Sequence, residues 1–235
     1  MIVSNFNLKT KVKEALCTLR QIVDYAEMHP TRRVRQLALD DTVAFIRERC
    51  PEAVGVRSER EVLEYALRGI GGSGHILEFG VYRGGSIRHI ARTVPNRTID
   101  GFDSFDGLPE DWTGVNVPKG TFSRLGASPR VSPWVRLHRG WFKETLPAWL
   151  RQHPGPADFI HIDSDLYSSA RTVLTLLADR IVPGTVIVFD EYFNYPNWQA
   201  HEHKAFEEFL ATTGATVDYL CYGSEQLAVR IASRP

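Results

Sequence analysis

Residues 77–86 read LEFGVYRGGS: an apolar run, then a glycine-rich turn, then the start of a helical segment. This order is typical of a strand that leads through a ligand-binding turn into a helix. Gly80 allows the backbone to turn and to approach a ligand closely, and Gly84 shapes the entrance to the helix. The N-terminus of that helix, near Ser86, offers unpaired N–H groups to a carboxylate or a phosphate. The stretch therefore predicts a ligand site at the end of a parallel strand.

The chain beyond this stretch repeats the order of strand, loop and helix. Strands are predicted at 75–79, 98–102, 135–139, 159–162 and 185–189, and helices at 86–94, 142–152, 169–177 and 202–211. Two later strands, 216–221 and 226–231, are joined by a turn too short for a parallel crossover, so we expect an antiparallel hairpin at the sheet edge. The alternation predicts an α/β, Rossmann-like fold with a mostly parallel seven-stranded sheet and helices on both faces.

Residues 1–70 form a different kind of segment, which we interpret as helical without a convincing strand. Helical spacing relates Val12, Leu16, Leu19 and Val23, and again Val34, Leu37, Ala38 and Ile46. His29 to Thr31 separates the two helices, Pro51 ends the second, and Ser58 with Glu61 forms a capping-box pattern for a third. We divide the chain into an N-terminal helical lid or dimerisation segment, 1–70, and a catalytic domain, 71–235. A lid, a homodimer contact and plain packing all remain open for the first segment.

The composition narrows the functional classes. Lys plus Arg and Asp plus Glu number 28 each, and this balance argues against a nucleic-acid partner. No apolar run approaches the roughly 18 residues of a membrane span, and the first residues lack a secretory signal. The three scattered cysteines, Cys17, Cys50 and Cys221, form neither a disulfide framework nor a zinc motif. We therefore expect a soluble, cytoplasmic protein.

Two acidic residues restrict the ligand of the glycine-rich turn. Glu78 lies at the strand end, where a carboxylate would repel a pyrophosphate but receive the ammonium group of an amino acid. Asp103 follows the second strand, 23 residues after Gly80, where an acid typically accepts ribose hydroxyls. With the neighbouring Ser104, they favour a nucleoside that bears an amino acid. The alternative is structural: Glu78 would pair with Arg83 or Arg88, and Asp103 would cap a turn.

Further carboxylates follow the fourth and fifth predicted strands. Asp163, Asp190 and Glu191 end neighbouring strands of such a sheet, so they can converge on one hard divalent cation. Magnesium is favoured, with manganese or calcium open, and the alternative is that one or two of these residues cap helices. Asp165 is the first candidate for the general base. His161, His201 and His203 are its rivals.

Five motifs in order resemble the macrocin O-methyltransferase family, over about residues 70–210. They are LEFGVYRGGSIRHIA (77–91), GFDSFDGLPEDW (101–112), RGWFKETLP (139–147), HIDSDLYSSA (161–170) and GTVIVFDEY (184–192). The resemblance implies the class I methyltransferase fold, S-adenosylmethionine as cofactor and a divalent metal. One departure is Glu191, since the better-known members have a pair of aspartates where this chain has Asp190 and Glu191.

The same resemblance implies roles for individual residues. The methionine part of the cofactor would contact Glu78, Gly80, Tyr82, Ser86 and Asp163. Asp103 would bind the ribose, and Arg139 and Trp141 would lie near the adenine. Asp163, Asp190 and Glu191 would ligate the metal, while Asp165 would act as base, with His161 kept as a further catalytic candidate.

We therefore predict an S-adenosylmethionine-dependent O-methyltransferase, assisted by Mg²⁺ or another divalent cation. Its acceptor is expected to be a small hydroxylated molecule such as a sugar, a glycoside or another natural product. Two alternatives stay open: an NAD-dependent oxidoreductase on a related sheet and a catalytically inactive S-adenosylmethionine-binding module. N- or C-methylation on the same fold also stays open.

Overall fold

The computed structural model describes residues 11–12, 15–20 and 28–235. In this part of the chain one sheet holds eight strands, in the order β1-β7-β8-β6-β5-β2-β3-β4. The strands are β1 (Val54–Gly55), β2 (His75–Phe79), β3 (Ile99–Asp103), β4 (Val135–Arg139), β5 (Ala157–Ile162), β6 (Val186–Phe189), β7 (Thr216–Tyr222) and β8 (Leu227–Ser233). Only β8 runs antiparallel to its neighbours, β6 and β7. The mostly parallel sheet and the antiparallel hairpin are confirmed.

Helices cover both faces of this sheet. They are α1 (Pro30–Arg49), α2 (Glu59–Leu67), α3 (Gly85–Thr93), α4 (Phe142–Gln152), α5 (Tyr167–Leu176) and α6 (Glu202–Thr213). Successive residues of a strand point to opposite faces, so Ile76 packs in the core under α2 and α3 whereas Leu77 packs in the core under α4, α5 and α6. Two apolar layers therefore hold the central strands rigidly, which fixes the strand ends that carry the polar residues.

The sheet has eight strands where the sequence predicted seven, and the additional strand is β1. It consists of two residues, with Val54 opposite Cys221 and Gly55 opposite Tyr222 of β7. Two residues are too few to produce an alternating pattern, so tertiary pairing alone defines this strand. Helix α2 also packs into the core, because Val62, Leu63 and Ala66 are fully buried. The division of the chain near residue 70 stays a prediction.

Helix α1 is largely exposed, with Ala38 and Thr42 as its buried residues. His29 caps it, since its Nδ1 accepts a hydrogen bond from Thr31 N, and it ends at Arg49 before Pro51, as predicted. Its Phe45 ring lies within 6.2 Å of five rings, those of Tyr192, Phe193, Trp198, His203 and Tyr219. Residues 15–20 are helical, while Val23, predicted in the same helix, lies outside the described residues. No described helix combines the length and apolar character of a membrane span.

The register of the central strands brings four chain segments to one edge of the sheet. Phe79 of β2 pairs with Phe102 of β3 and Ile162 of β5, and Ile162 pairs with Phe189 of β6. The residues that come next, Gly80, Asp103, Asp163 and Asp190, therefore form one row across four strands. This row lies where open α/β sheets bind their ligands.

Candidate active site

A pocket of about 610 Å³ opens above this row of strand ends. Its lining includes six residues predicted for the cofactor, namely Gly80, Tyr82, Asp103, Ser104, Trp141 and Asp163. It also includes Asp165, the predicted base, and Glu191, a predicted metal ligand like Asp163. The pocket is large enough for a small-molecule ligand. The structure thus brings together side chains that are separated by more than a hundred residues in the chain.

Gly80 brings the cofactor turn against the loop after β5. Its φ of +96° lies in a region that favours glycine. A Cβ at this position would stand 2.8 Å from the carbonyl carbon of Asp163 and even closer to its oxygen. Asp163 N in turn donates to Phe79 O at 2.9 Å. The two loops are in direct backbone contact, and only glycine permits this approach.

Asp103 holds the turn as well as lining the pocket. Its Oδ2 accepts hydrogen bonds from Val81 N at 2.8 Å and Tyr82 N at 2.7 Å, and its Oδ1 accepts from Phe105 N at 2.7 Å. The structural alternative, in which Asp103 caps a turn, therefore applies here. A carboxylate oxygen has two acceptor sites, so Oδ2 is fully used whereas Oδ1, which accepts one bond, can also accept from a ribose hydroxyl.

Glu78 occupies a different environment from the one its position suggested. It is completely buried, and its Oε1 accepts from Ser86 Oγ at 2.7 Å rather than from Arg83 or Arg88. Its Oε2 lies 3.8 Å from Nδ1 of His161, whose Nε2 lies 3.8 Å from Asp190 Oδ1. Burial alone would lower the pKa of His161, but the carboxylates of Asp190 and Glu78 raise it well above 6.5.

Gly84 and Arg139, also predicted for the cofactor, are not part of the pocket lining, whereas Trp141 is. Gly84 has a φ of +75° and precedes the first residue of α3, so it shapes the start of that helix as expected. Arg139 is exposed at the end of β4, where its guanidinium group lies over Gly126. Trp141 precedes α4 and lines the pocket next to Phe142.

Asp163, Asp190 and Glu191 form an acidic cluster at the ends of β5 and β6. One carboxylate oxygen from each lies within 4.8 Å of the others. Burial and the charge of Asp190 raise the pKa of Asp163 well above its usual range, and the same two causes act on Glu191. Asp190 Oδ1 and Glu191 Oε2 are buried without a hydrogen-bond partner. Carboxylates arranged in this way fit a divalent cation, which removes their mutual repulsion and supplies the missing partner.

Asp165 is the candidate base that lines the pocket. It is buried with a φ of +61°, a conformation that costs free energy in a residue with a side chain. Burial and the charge of Asp190 raise its pKa to about 7. His201 and His203 serve packing instead: His201 Nε2 bonds Thr113 O at 2.9 Å, and His203 lies among aromatic rings.

Glu202 and Phe122 belong to this region although sequence reasoning passed over both. Glu202, completely buried at the start of α6, bonds the backbone after β5 and after β6. Its only local signal is its place between His201 and His203, two candidate bases. Phe122 lines the pocket from the long segment between β3 and β4 and packs against Tyr82 at 5.6 Å between ring centroids. That segment has no periodic pattern from which its position could be predicted.

Comparisons with known proteins agree with this architecture. Residues 77–192 match a family model described as a methyltransferase domain. The calicheamicin methyltransferase CalS11 superposes with a TM-score of 0.60, at 21% identity, over 85% of this chain and 90% of its own. The chain has a class I methyltransferase fold. This confirms the predicted fold class.

Two curated relatives are O-methyltransferases of natural products. The 8-demethyl-8-(2,3-dimethoxy-alpha-L-rhamnosyl)-tetracenomycin-C 4'-O-methyltransferase of Streptomyces olivaceus is 32% identical over 158 residues, 55% of this chain and 58% of the relative. The mycinamicin III 3''-O-methyltransferase of Micromonospora griseorubida is 30% identical over 157 residues, 55% of this chain and 59% of the relative. The chain thus spans somewhat more than half the length of these relatives.

Proposed function

We propose that this chain is an S-adenosylmethionine-dependent O-methyltransferase of the macrocin type, assisted by a divalent cation. The observation that carries the proposal is one shared pocket, whose lining contains a first set, Gly80 and Asp103, and a second set, Asp163, Asp165 and Glu191. The first set suits a nucleoside with an amino acid, and the second suits a metal and a proton acceptor. Similarity to two natural-product O-methyltransferases supports the same activity.

The cofactor half consists of the ends of β2, β3 and β4. Asp103 and Ser104 would receive the ribose, Trp141 and Phe142 would flank the adenine, and Gly80 with Tyr82 would face the methionine part. Glu78 and Ser86, which bond each other, would act from beneath this surface by fixing the turn. Because the turn is already held by two hydrogen bonds to Asp103, from Val81 N and Tyr82 N, little ordering would remain to oppose cofactor binding.

Asp163, Asp190 and Glu191 would hold the divalent cation, for which Mg²⁺ is the first choice. When bound, such a cation supplies charge that orients the acceptor oxygen and lowers its pKa. Glu191 keeps the carboxylate chemistry of an aspartate in this position. Its longer side chain reaches the cluster, since its oxygen lies within the same 4.8 Å group.

Asp165 would act as the general base. The acceptor hydroxyl attacks the methyl carbon, the carbon–sulfur bond of the sulfonium breaks, and the hydroxyl proton passes to the Asp165 carboxylate. The products are a methyl ether and S-adenosylhomocysteine. Alignment of two bound reactants supplies about 7–11 kcal/mol of the rate enhancement in favourable cases. His161 would support the reaction indirectly, since it lies buried between Glu78 and Asp190.

The acceptor class we propose is a sugar hydroxyl on a glycoside or another natural product. One relative's name includes a rhamnosyl group, and a pocket open to solvent beside the acidic cluster suits a polar acceptor. We also propose that residues 71–235 form the methyltransferase domain and residues 1–70 a lid or homodimer contact, since Val34, Leu37 and Val43 of α1 are exposed. A cytoplasmic location stays a prediction.

Calorimetric titration with S-adenosylhomocysteine and, separately, NAD tests the cofactor. We expect the first to bind and the second to give no heat; the reverse would favour the oxidoreductase alternative. Transfer of a labelled methyl group to a panel of glycosides, with Mg²⁺ or with excess EDTA, then tests the reaction. Full activity in EDTA would remove the metal from the proposal, and cofactor binding without transfer to any hydroxyl would favour the inactive binding module.

A further inference from the structure

Glu202 is a buried carboxylate for which the proposed reaction provides no direct role. It is the first residue of α6, and its side chain is completely inaccessible to solvent. Charged side chains are almost never fully buried unless they are paired or fully hydrogen-bonded. The partners of Glu202 therefore indicate what it does.

The first partner of Glu202 is the loop after β5. Oε1 accepts a hydrogen bond from Ser164 N at 3.2 Å and another from Ser164 Oγ at 3.4 Å. Ser164 lies between Asp163, which belongs to the acidic cluster, and Asp165, the proposed base. The hydrogen bonds to the backbone and hydroxyl of Ser164 hold this part of the loop, and so orient the side chains of Asp163 and Asp165.

The second partner of Glu202 is the loop after β6. Oε2 accepts from Glu191 N at 3.3 Å, while Tyr195 Oη donates to Glu191 O at 3.0 Å. Both backbone polar groups of Glu191 are thus hydrogen-bonded. One carboxylate therefore joins the two loops that supply every member of the acidic cluster.

We infer that Glu202 is a positioning residue that sets the spacing between Asp163 and the pair Asp190 and Glu191, and so determines the affinity of the site for a divalent cation. The inference rests on the proposed function, because the cation belongs to that proposal. A carboxylate suits this task because both of its oxygens accept hydrogen bonds. A glutamine has one accepting oxygen, so its amide N–H group would face a backbone N–H of Ser164 or Glu191.

A purely structural role offers a competing explanation. An acidic residue in the first turn stabilises a helix through the helix dipole, so Glu202 would then affect folding alone. The two explanations predict different changes in the affinities for metal and for cofactor when Glu202 is replaced. Positioning predicts a selective loss of metal affinity, whereas a structural role predicts a lower unfolding temperature and an equal effect on both ligands.

The test measures Mn²⁺ binding to the full chain by electron paramagnetic resonance, and S-adenosylhomocysteine binding by calorimetry. The variants are Glu202→Gln, Ser164→Ala and, as a matched control on the same helix, Glu208→Gln, whose carboxylate bonds Tyr167 Oη at 2.7 Å. Loss of an outer-shell partner typically weakens metal affinity about 10- to 100-fold, and we expect this for Glu202→Gln. Ser164→Ala removes one bond of three, so we expect a loss of about two- to tenfold. The S-adenosylhomocysteine affinity of these two variants should stay within about twofold of the wild type. The affinities of Glu208→Gln for Mn²⁺ and for S-adenosylhomocysteine should stay within the same range.

Wild-type Mn²⁺ affinity in both Glu202→Gln and Ser164→Ala would overturn the inference and leave the proposed function intact. Equal losses of Mn²⁺ and cofactor affinity would overturn it in favour of the structural role. If Glu202→Gln does not fold, Ser164→Ala alone decides between these outcomes. A wild-type protein that binds S-adenosylhomocysteine but no Mn²⁺ would remove the metal from the proposed function and this inference with it.

Discussion

Replacement of Gly80 by alanine perturbs the contact between the cofactor turn and the loop after β5. The new Cβ would lie 2.8 Å from the carbonyl carbon of Asp163, where about 3.5 Å is the ordinary separation of two carbons. A strained backbone conformation costs about 1–3 kcal/mol, and an overpacked contact about 1–3 kcal/mol more. We expect a loss of about 4 kcal/mol in the free energy of unfolding. For a chain of this size that corresponds to a decrease of about 8–16 °C in Tm.

Differential scanning calorimetry measures this decrease, and titration with S-adenosylhomocysteine measures the second effect. We expect the affinity for S-adenosylhomocysteine to fall at least about tenfold, because the turn and Asp163 must move apart to accommodate the alanine side chain. Gly85→Ala is the matched control: Gly85 is the first residue of α3, directly after the same turn, and has no positive φ and no atom within 4 Å of an added Cβ. A Gly80→Ala protein with the Tm and ligand affinity of Gly85→Ala would refute the reasoning.

Three further substitutions test other parts of the site. Asp103→Asn replaces an oxygen that accepts backbone hydrogen bonds by an N–H donor, so we expect the free energy of unfolding to fall by about 1–3 kcal/mol and S-adenosylhomocysteine binding to weaken. Asp106 is exposed, and Asp106→Asn should change neither quantity. Equal behaviour of the two variants would count against the role of Asp103. Burial lowers the pKa of His203 from 6.5 to about 4. Between pH 6.5 and 4 the unfolded chain therefore binds a proton at this residue that the folded chain does not, so the free energy of unfolding decreases as the pH falls through this range. His203→Phe should flatten the dependence of Tm on pH between 6.5 and 4, and an unchanged dependence would assign it to other groups. Asp165→Asn should reduce kcat about 10²- to 10⁴-fold with cofactor affinity within about twofold, whereas wild-type turnover would transfer the role of base to another residue.

The central strands and their polar ends were predictable because two physical patterns coincide. Buried parallel strands are largely apolar runs, and the predicted strand 75–79 agrees with β2 to the residue. Adjacent parallel strands end at the same edge, so the convergence of Asp163, Asp190 and Glu191 followed from the order of the motifs. The fold and the acidic side of the pocket are thus properties of local pattern and topology.

The features that were missed depend on tertiary contacts. Strand β1 exists only through pairing with β7. Glu78 shares the face of Ile76 on a strand buried on both sides, so its carboxylate bonds Ser86 inside the protein. Glu202 meets Ser164 across 38 residues of sequence. No spacing rule expresses such a distance, because it results from how α6 packs onto the sheet.

Phe45 connects helix α1 to the segment that follows β6. Its ring contacts Tyr192 and Phe193, which directly follow the acidic pair after β6, and Trp198 further along the same segment. Helix α1 cannot slide or tilt without repacking these rings, since a dense aromatic cluster accommodates only discrete arrangements. A shift of α1 would therefore be transmitted through these rings to the loop that carries Asp190 and Glu191.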